Sequence, residues 1–192
     1  PTIETVSVPL LTSEAFSAHN KTWLPYNKGG DFRKWYGNYD LVVNWKDNGA
    51  SIKGYKDERG KVLSRPQNIQ YFFKEGATWT LISSGSFSIR YCPPGFGFDA
   101  RGSMLFGERS KEVLYAIALL NSCVSSYYLA FLSPTITFEV GNVSKVPYVY
   151  DETTVDEVVS KVKTLISISK NDWDSFETSW DFQRHPLVIH AI

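Results

Sequence analysis

Cysteine, methionine and histidine are scarce: the 192 residues hold two, one and three of them. Two cysteines, Cys92 and Cys123, cannot build a zinc cluster, and a disulfide scaffold does not suit this composition. His19, His185 and His190 have no metal-ligand spacing, so no metal is expected. Long apolar runs are missing too. The longest, around Val113 to Leu132, is broken by Asn121 and several serines, short of a membrane span. A membrane partner is therefore not expected. There is no internal repeat and no low-complexity segment. Neither an initiator Met nor a signal peptide precedes Pro1, as in an excised fragment, and the expected compartment is the reducing cytoplasm. Nor does one charge dominate, since 20 Lys+Arg balance 20 Asp+Glu.

What is present is enough for a packed core. The 43% hydrophobic and 15% aromatic content excludes a disordered chain, and the length suits one domain, or one with a helical appendage. The zero net charge hides an asymmetry: residues 21–65 carry a net +5 and residues 112–192 a net −5. A basic half and an acidic half argue for an oriented partner, ordinary scatter of surface charge being the alternative.

Up to Phe106 the pattern is strand-rich. Thr2 to Leu11 reads as an extended lead-in. Lys21–Tyr26, Asp40–Trp45, Thr78–Ile82, Phe87–Tyr91, Phe96–Phe98 and Ser103–Phe106 read as strands from their β-branched and aromatic content. Asp47-Asn48-Gly49 is a turn signal, and Ser51 to Gly60 is expected to be an exposed loop. Pro66 can open a short helix through Phe73, closed by Gly76. After Gly107 the period becomes helical. One helix is expected from Glu108 or Ser110 to about Phe131, stopped by Pro134. Thr135–Val140 alternates as a strand with Ile136, Phe138 and Val140 on one face. A last helix opens near Thr153 with Val155, Val158, Val159, Val162, Leu165 and Ile166 as its apolar stripe. Trp173, Phe176, Trp180 and Phe182 add a further helical turn or two. The expected fold class is α+β.

The stretch Lys28-Gly-Gly-Asp-Phe-Arg-Lys-Trp-Tyr-Gly-Asn38 sets three cations beside two large aromatics between glycines. Such a segment can offer cations and backbone N–H groups to an anionic polymer, or be a surface turn with its aromatics in the core. With Trp23-Leu-Pro-Tyr-Asn27 before it, Arg65-Pro-Gln-Asn68 and Trp79-Thr-Leu-Ile-Ser-Ser84 after it, Ser133-Pro-Thr-Ile-Thr-Phe-Glu-Val-Gly-Asn142 with Val146-Pro147, and Ile168 to Asp181 with Arg184-His-Pro186, the chain resembles the C-terminal part of the PglX family. These are the adenine-specific DNA methyltransferases of BREX phage defence.

The resemblance implies a mixed or antiparallel DNA target-recognition domain over residues 1–150, then a C-terminal helical segment over 151–192. It implies a parent that methylates adenine with S-adenosylmethionine to mark host DNA for phage exclusion. The catalytic Asn/Asp-Pro-Pro-Tyr motif that grips a flipped adenine is missing. Cys92-Pro-Pro-Gly95 mimics it only on paper, because Cys is a poor acceptor for an amine and Gly cannot stack. Gly95-Phe-Gly97 lacks the spacing of a cofactor loop. This stretch alone is therefore expected to be non-catalytic and to hold no cofactor. Its expected partners are double-stranded DNA, the N-terminal methyltransferase domain of the parent and other BREX subunits.

For a DNA reader, Lys28, Arg33, Lys34, Lys53, Lys56 and Lys61 are candidates for phosphates. Arg65, Gln67, Asn68, Arg90 and Arg101 are candidates for base edges, since Arg suits guanine and Asn or Gln suits adenine. Ser84, with Ser83 and Ser86, can donate to either. Trp35, Tyr36 and Trp45 read as core or loop anchors, and the acidic helices after residue 150 as packing on the rest of the parent. The competing reading is a protein-interaction module whose basic half docks another defence subunit or an acidic DNA-mimic inhibitor; a third is a plain scaffold for the methyltransferase core.

Overall fold

The computed structural model describes Phe16 and residues 21–189; the lead-in read at Thr2–Leu11 lies outside them. Helix and short strand mix as about 35% and 16% of the chain, an α+β fold. Two three-stranded sheets organise the first half. In one, β1 (Trp23–Asn27) pairs antiparallel with β2 (Val42–Asn44) and parallel with β5 (Gly97–Phe98). In the other, β3 (Gly76–Thr80) is central, antiparallel to β4 (Ile89–Cys92) and β6 (Gly102–Leu105). The turn signal after β2 opens α1 (Lys46–Lys53). Asp47, Asn48 and Gly49 all take positive φ there. A Cβ on Gly49 would lie 2.8 Å from the Trp45 ring, so only glycine lets this turn close over the buried indole.

The first sheet holds a small core of Phe16, Leu24, Trp45, Phe72 and Phe73. The main core lies where α2 (Ser110–Leu120) covers the second sheet and α5 (Val155–Trp173) covers α2. Val113, Ile117 and Leu120 meet Ala77, Trp79 and Ile89 below and Val155, Val159 and Val162 above. The stripe read for the last helix is thus spent largely inside this chain. Asp151 sets up the start of α5, taking Thr153 N (2.9 Å) and the Thr154 hydroxyl (3.0 Å) on its carboxylate.

Four local expectations are revised. The single helix to Phe131 is two, α2 and α3 (Cys123–Leu132), bent by 72°. Asn121 turns its amide onto the edge of β4, donating to Ile89 O (2.9 Å) and accepting from Ile89 N (3.2 Å). Ser122 then caps α3 through Ser125 N at 3.2 Å. The strand expected at Thr135–Val140 shrinks to one bridge, Ile82 to Thr137. Ser133 Oγ donates to Thr137 O (2.8 Å) and accepts from Asn142 Nδ2 (3.0 Å), curling the segment into α4 (Val140–Val143). Only Phe138 of its three apolar residues is buried. The helix from Pro66 is one 3-10 turn, Ile69–Tyr71, and Gly76 opens β3 rather than closing it. Ser51–Gly60 divides between the end of α1 and a tight turn: Lys56 bridges Val62, while Asp57 Oδ1 takes Arg59 N (3.0 Å) and Lys61 N (2.8 Å). Beyond α5, turns lead to a short α6 (Pro186–Ile189).

Candidate nucleic-acid interface

Asn27, at the end of β1, ties the two sheets together. Its buried amide donates to Thr78 Oγ1 at 2.5 Å and to Gly102 O at 3.4 Å, and Gly29 N reaches its Oδ1 at 3.5 Å. The Thr80 hydroxyl donates to Gly30 O (2.9 Å), Leu81 N to Arg101 O (3.1 Å) and Asp99 N to Asn27 O (3.2 Å). Gly29, at φ +93°, lets its backbone sit so close that a Cβ would be 3.0 Å from Arg101 O. The segments 28–30, 80–86 and 99–102 thereby converge at one end of the second sheet. Lys28, Ser84 and Arg101 stand exposed on them, on loops held by a rigid scaffold. Phe32, 52% exposed, belongs to the same cluster, since a Cβ on Gly85 would lie 3.9 Å from its side chain.

Asp99 and Ala100, just before Arg101, also wall a cleft of about 830 Å³. Arg65, Gln67 and Asn68, all three exposed, line it as well, as do Tyr26, Phe98 and Ser103. Gln67 Nε2 donates to Arg65 O at 3.1 Å, bracing the short polar run. Asn68 sits at φ 56°, a left-handed position that Asn tolerates better than most residues, and makes no side-chain cap bond. Tyr71 stacks on Phe106, centroids 5.0 Å apart, and Lys74 lies over Tyr71 at 4.9 Å. Burial, with Asp99 close by, pushes the Tyr26 hydroxyl up to about 12, so it stays a neutral donor. Lys56 and Lys61 stand exposed on the 55–63 turn, joined by Arg59, which the sequence reading did not pick out.

Four of the twelve sequence candidates are otherwise engaged. Arg90 is 0% exposed and cannot reach a base edge in this structure. Its place on β4, between Ile89 and Tyr91, turns it beneath the 33–39 segment, where the backbone of Trp35 pairs with both neighbours (Trp35 N to Ile89 O, 3.1 Å; Tyr91 N to Trp35 O, 2.8 Å). Among the described residues its Nε, Nη1 and Nη2 have no hydrogen-bond partner. Burial above all pulls its pKa down from the arginine range, Arg33 adding to this and Tyr39 and Cys92 opposing it. Arg33 is half-buried, pairing with Asp172 at 2.8 Å and stacking 5.1 Å over Trp173. Lys34 donates to Asn121 O, the carbonyl at the end of α2, at 3.0 Å. Lys53 lies 5.2 Å over the Trp45 ring. The cation–aromatic stretch therefore works mainly as a bracket holding the first half onto α2 and α5. Only Lys28 of its three cations is exposed.

Cys92 is fully buried at the end of β4, and burial pushes its thiol up to about 12. The Pro93-Pro94 turn after it is pinned by Gly95 N to Phe73 O (3.0 Å) and Phe73 N to Phe96 O (2.8 Å). A buried neutral thiol on a structural turn is no nucleophile. Among the described residues no group of His, Cys, Asp or Glu is placed to hold a metal ion. Asn27 and Asn121 are buried structural pins that sequence reasoning did not pick out: Asn121 follows an apolar run, a weak signal, while Asn27 stands between an aromatic and a cation, which gives none.

Two curated relatives cover most of the chain. It is 44% identical over 172 residues to the adenine-specific methyltransferase PglX of Lacticaseibacillus casei (strain Zhang), across 89% of this chain and 14% of that protein. It is 36% identical over 185 residues to the adenine-specific methyltransferase BrxX of Escherichia coli O9:H4 (strain HS), across 95% of this chain and 14% of that protein. No family model matches the chain.

Proposed function

The chain belongs to the PglX family of adenine-specific methyltransferases, as a stretch matching 14% of the length of each relative, and from that premise we propose that it is the part that recognises DNA. The observation that supports this reading is the arrangement of side chains around the cleft. A braced polar run, Arg65, Gln67 and Asn68, lines a cleft of about 830 Å³ together with Asp99 and Ala100, and Lys28 and Ser84 stand on loops fixed to the turn that ends at Arg101. Arg and amide side chains aimed from restrained backbone are what base-edge reading needs. Exposed lysines nearby supply the phosphate attraction that sets affinity.

In this reading the methyl-transfer chemistry, the adenine pocket and S-adenosylmethionine belong to the remainder of a PglX-type polypeptide. The present residues orient DNA toward it. The buried Cys92 and its proline turn contribute only structure. The same reading carries the BREX role that the sequence resemblance implies, marking host DNA so that phage DNA is excluded.

Gln67→Ala combined with Asn68→Gly tests the role directly; glycine removes the amide without straining the left-handed backbone. A bidentate base contact is worth about 1–3 kcal/mol, so without it preference at one base pair should relax roughly 5- to 150-fold. Methylated motifs would be mapped in the complete enzyme, alongside its melting temperature. A relaxed motif with an unchanged melting temperature is expected. An unchanged motif, or equal loss of methylation at every site with lowered stability, would refute base reading by this cluster. Binding that ignores DNA sequence altogether would favour the protein-interaction reading.

A further inference from the structure

Helix α3 carries no charged residue, and among the described residues only one of its faces is covered. Leu129 and Ser125 face inward, Ser125 Oγ donating to Leu119 O at 2.6 Å. On the outward side Val124, Tyr127, Tyr128 and Phe131 are 56%, 83%, 45% and 86% exposed. Their spacing of three, four and seven residues makes one continuous stripe. From Cys123 to Ser133 the sequence holds no charged residue. The three aromatics alone present roughly 350–500 Å² of contiguous apolar surface, as large as the largest patch on a typical monomer, which is often a functional one. A helix that is apolar all round is normally covered.

The chemistry of the stripe narrows what covers it. DNA and acidic proteins are held by cations, and α3 has none. A lipid-surface helix pairs its apolar face with a charged one rich in Lys and Arg, which α3 also lacks. A protein surface of matching apolar character remains. The relatives supply a source, because this chain corresponds to only 14% of each of them.

We infer that the outward face of α3 docks an apolar helix or groove in the remaining part of the PglX-type methyltransferase polypeptide, fixing the DNA-reading loops relative to the catalytic part. The inference rests on the family relationship and leaves the DNA-reading residues untouched. Cys123 provides the probe. It is exposed, starts the same stripe one turn before Tyr127, and is a free thiol, while Cys92 is buried.

The experiment alkylates the intact full-length methyltransferase with N-ethylmaleimide and follows the Cys123 peptide by mass spectrometry. In the native wild type, Cys123 should react roughly tenfold or more slowly than in urea-unfolded protein, because reaction requires the interface to open. Tyr127→Glu with Phe131→Glu, both on solvent-facing positions of this chain, should bring the native rate close to the unfolded one. A wild-type rate equal to the unfolded rate would overturn the inference, as would protection that the double variant leaves unchanged. Sedimentation decides the remaining rival: a dimer dissolved by the double variant would assign the face to a second copy instead. DNA retention is measured separately on the same proteins, so failure of the docking surface and failure of DNA reading are distinguishable.

Discussion

Replacing Arg90 with methionine should make the protein more stable. The guanidinium is 0% exposed and its three nitrogens find no hydrogen-bond partner among the described residues. The charge-bearing groups around it offer little compensation: Tyr39 and Cys92 are both kept neutral, mainly by burial, and Arg33 is a second cation. A buried ion costs several kcal/mol of solvation, and swapping even paired buried ions for apolar residues of similar volume often gains about 1–4 kcal/mol. Methionine matches the length of the arginine stem and adapts to irregular space. With a shift of about 2–4 °C per kcal/mol for a domain of this size, Arg90→Met should raise the melting temperature by roughly 2–15 °C. Arg90→Ala is the control, since it removes the charge but leaves a cavity whose cost offsets the gain. Urea titration and scanning calorimetry on the intact protein read both. DNA affinity and methylation motif should be unchanged in Arg90→Met. A lower melting temperature would refute the electrostatic reasoning and show that the guanidinium is satisfied in solution. A changed motif would return Arg90 to the base-reading set.

Charge reversal of Lys28 and Arg101 together should weaken DNA binding at all sequences. It should also flatten the slope of log K against log salt by roughly 0.9 for each phosphate no longer neutralised; the same reversal at Asp156 and Glu157 of α5 should not weaken binding, and a larger effect there would reverse the assigned DNA face. Asn121→Ala removes both amide bonds to Ile89; Ile89 O keeps its bond from Trp35 N, while the buried Ile89 N–H loses the Asn121 acceptor, at a cost of about 1–3 kcal/mol. Equilibrium unfolding checks that cost, and a change below about 0.5 kcal/mol would show that the edge of β4 does not depend on this amide. The Glu112 carboxyl is held below the usual carboxylate range by the Arg109 side-chain bond first, then by backbone bonds from Arg109 and Glu108. A depressed folded pKa contributes stability above the unfolded value of about 4.3, lost as pH falls through the folded value. Amide protection at Glu108 and Arg109, measured against the intrinsic rate at each pH, should therefore fall in that acid window, and Glu112→Gln should abolish the pH step; an identical step in the variant would remove Glu112 as its source.

The sequence by itself determined the period of each segment and the kind of residue available at each turn. Alternation of β-branched and aromatic residues marked β1 to β4, and the i, i+3, i+4 spacing of Val155 to Ile166 marked α5. Asp47-Asn48-Gly49 announced its left-handed turn because few other residues accept positive φ. The motif order announced the family, which the two relatives bear out. Tertiary structure decided which polar groups are spent internally. Arg33, Lys34 and Lys28 read alike in sequence, yet two of them are engaged by Asp172 and by the Asn121 carbonyl, 139 and 87 residues away. Asn121 broke a helix that periodicity ran through, because its amide found a strand edge that no local pattern encodes. Arg90 looked like a reader of guanine until β4 turned it inward. Burial and hydrogen bonding are properties of contacts between distant segments, so residues of one type and similar local context can end as surface probe, structural pin or buried charge.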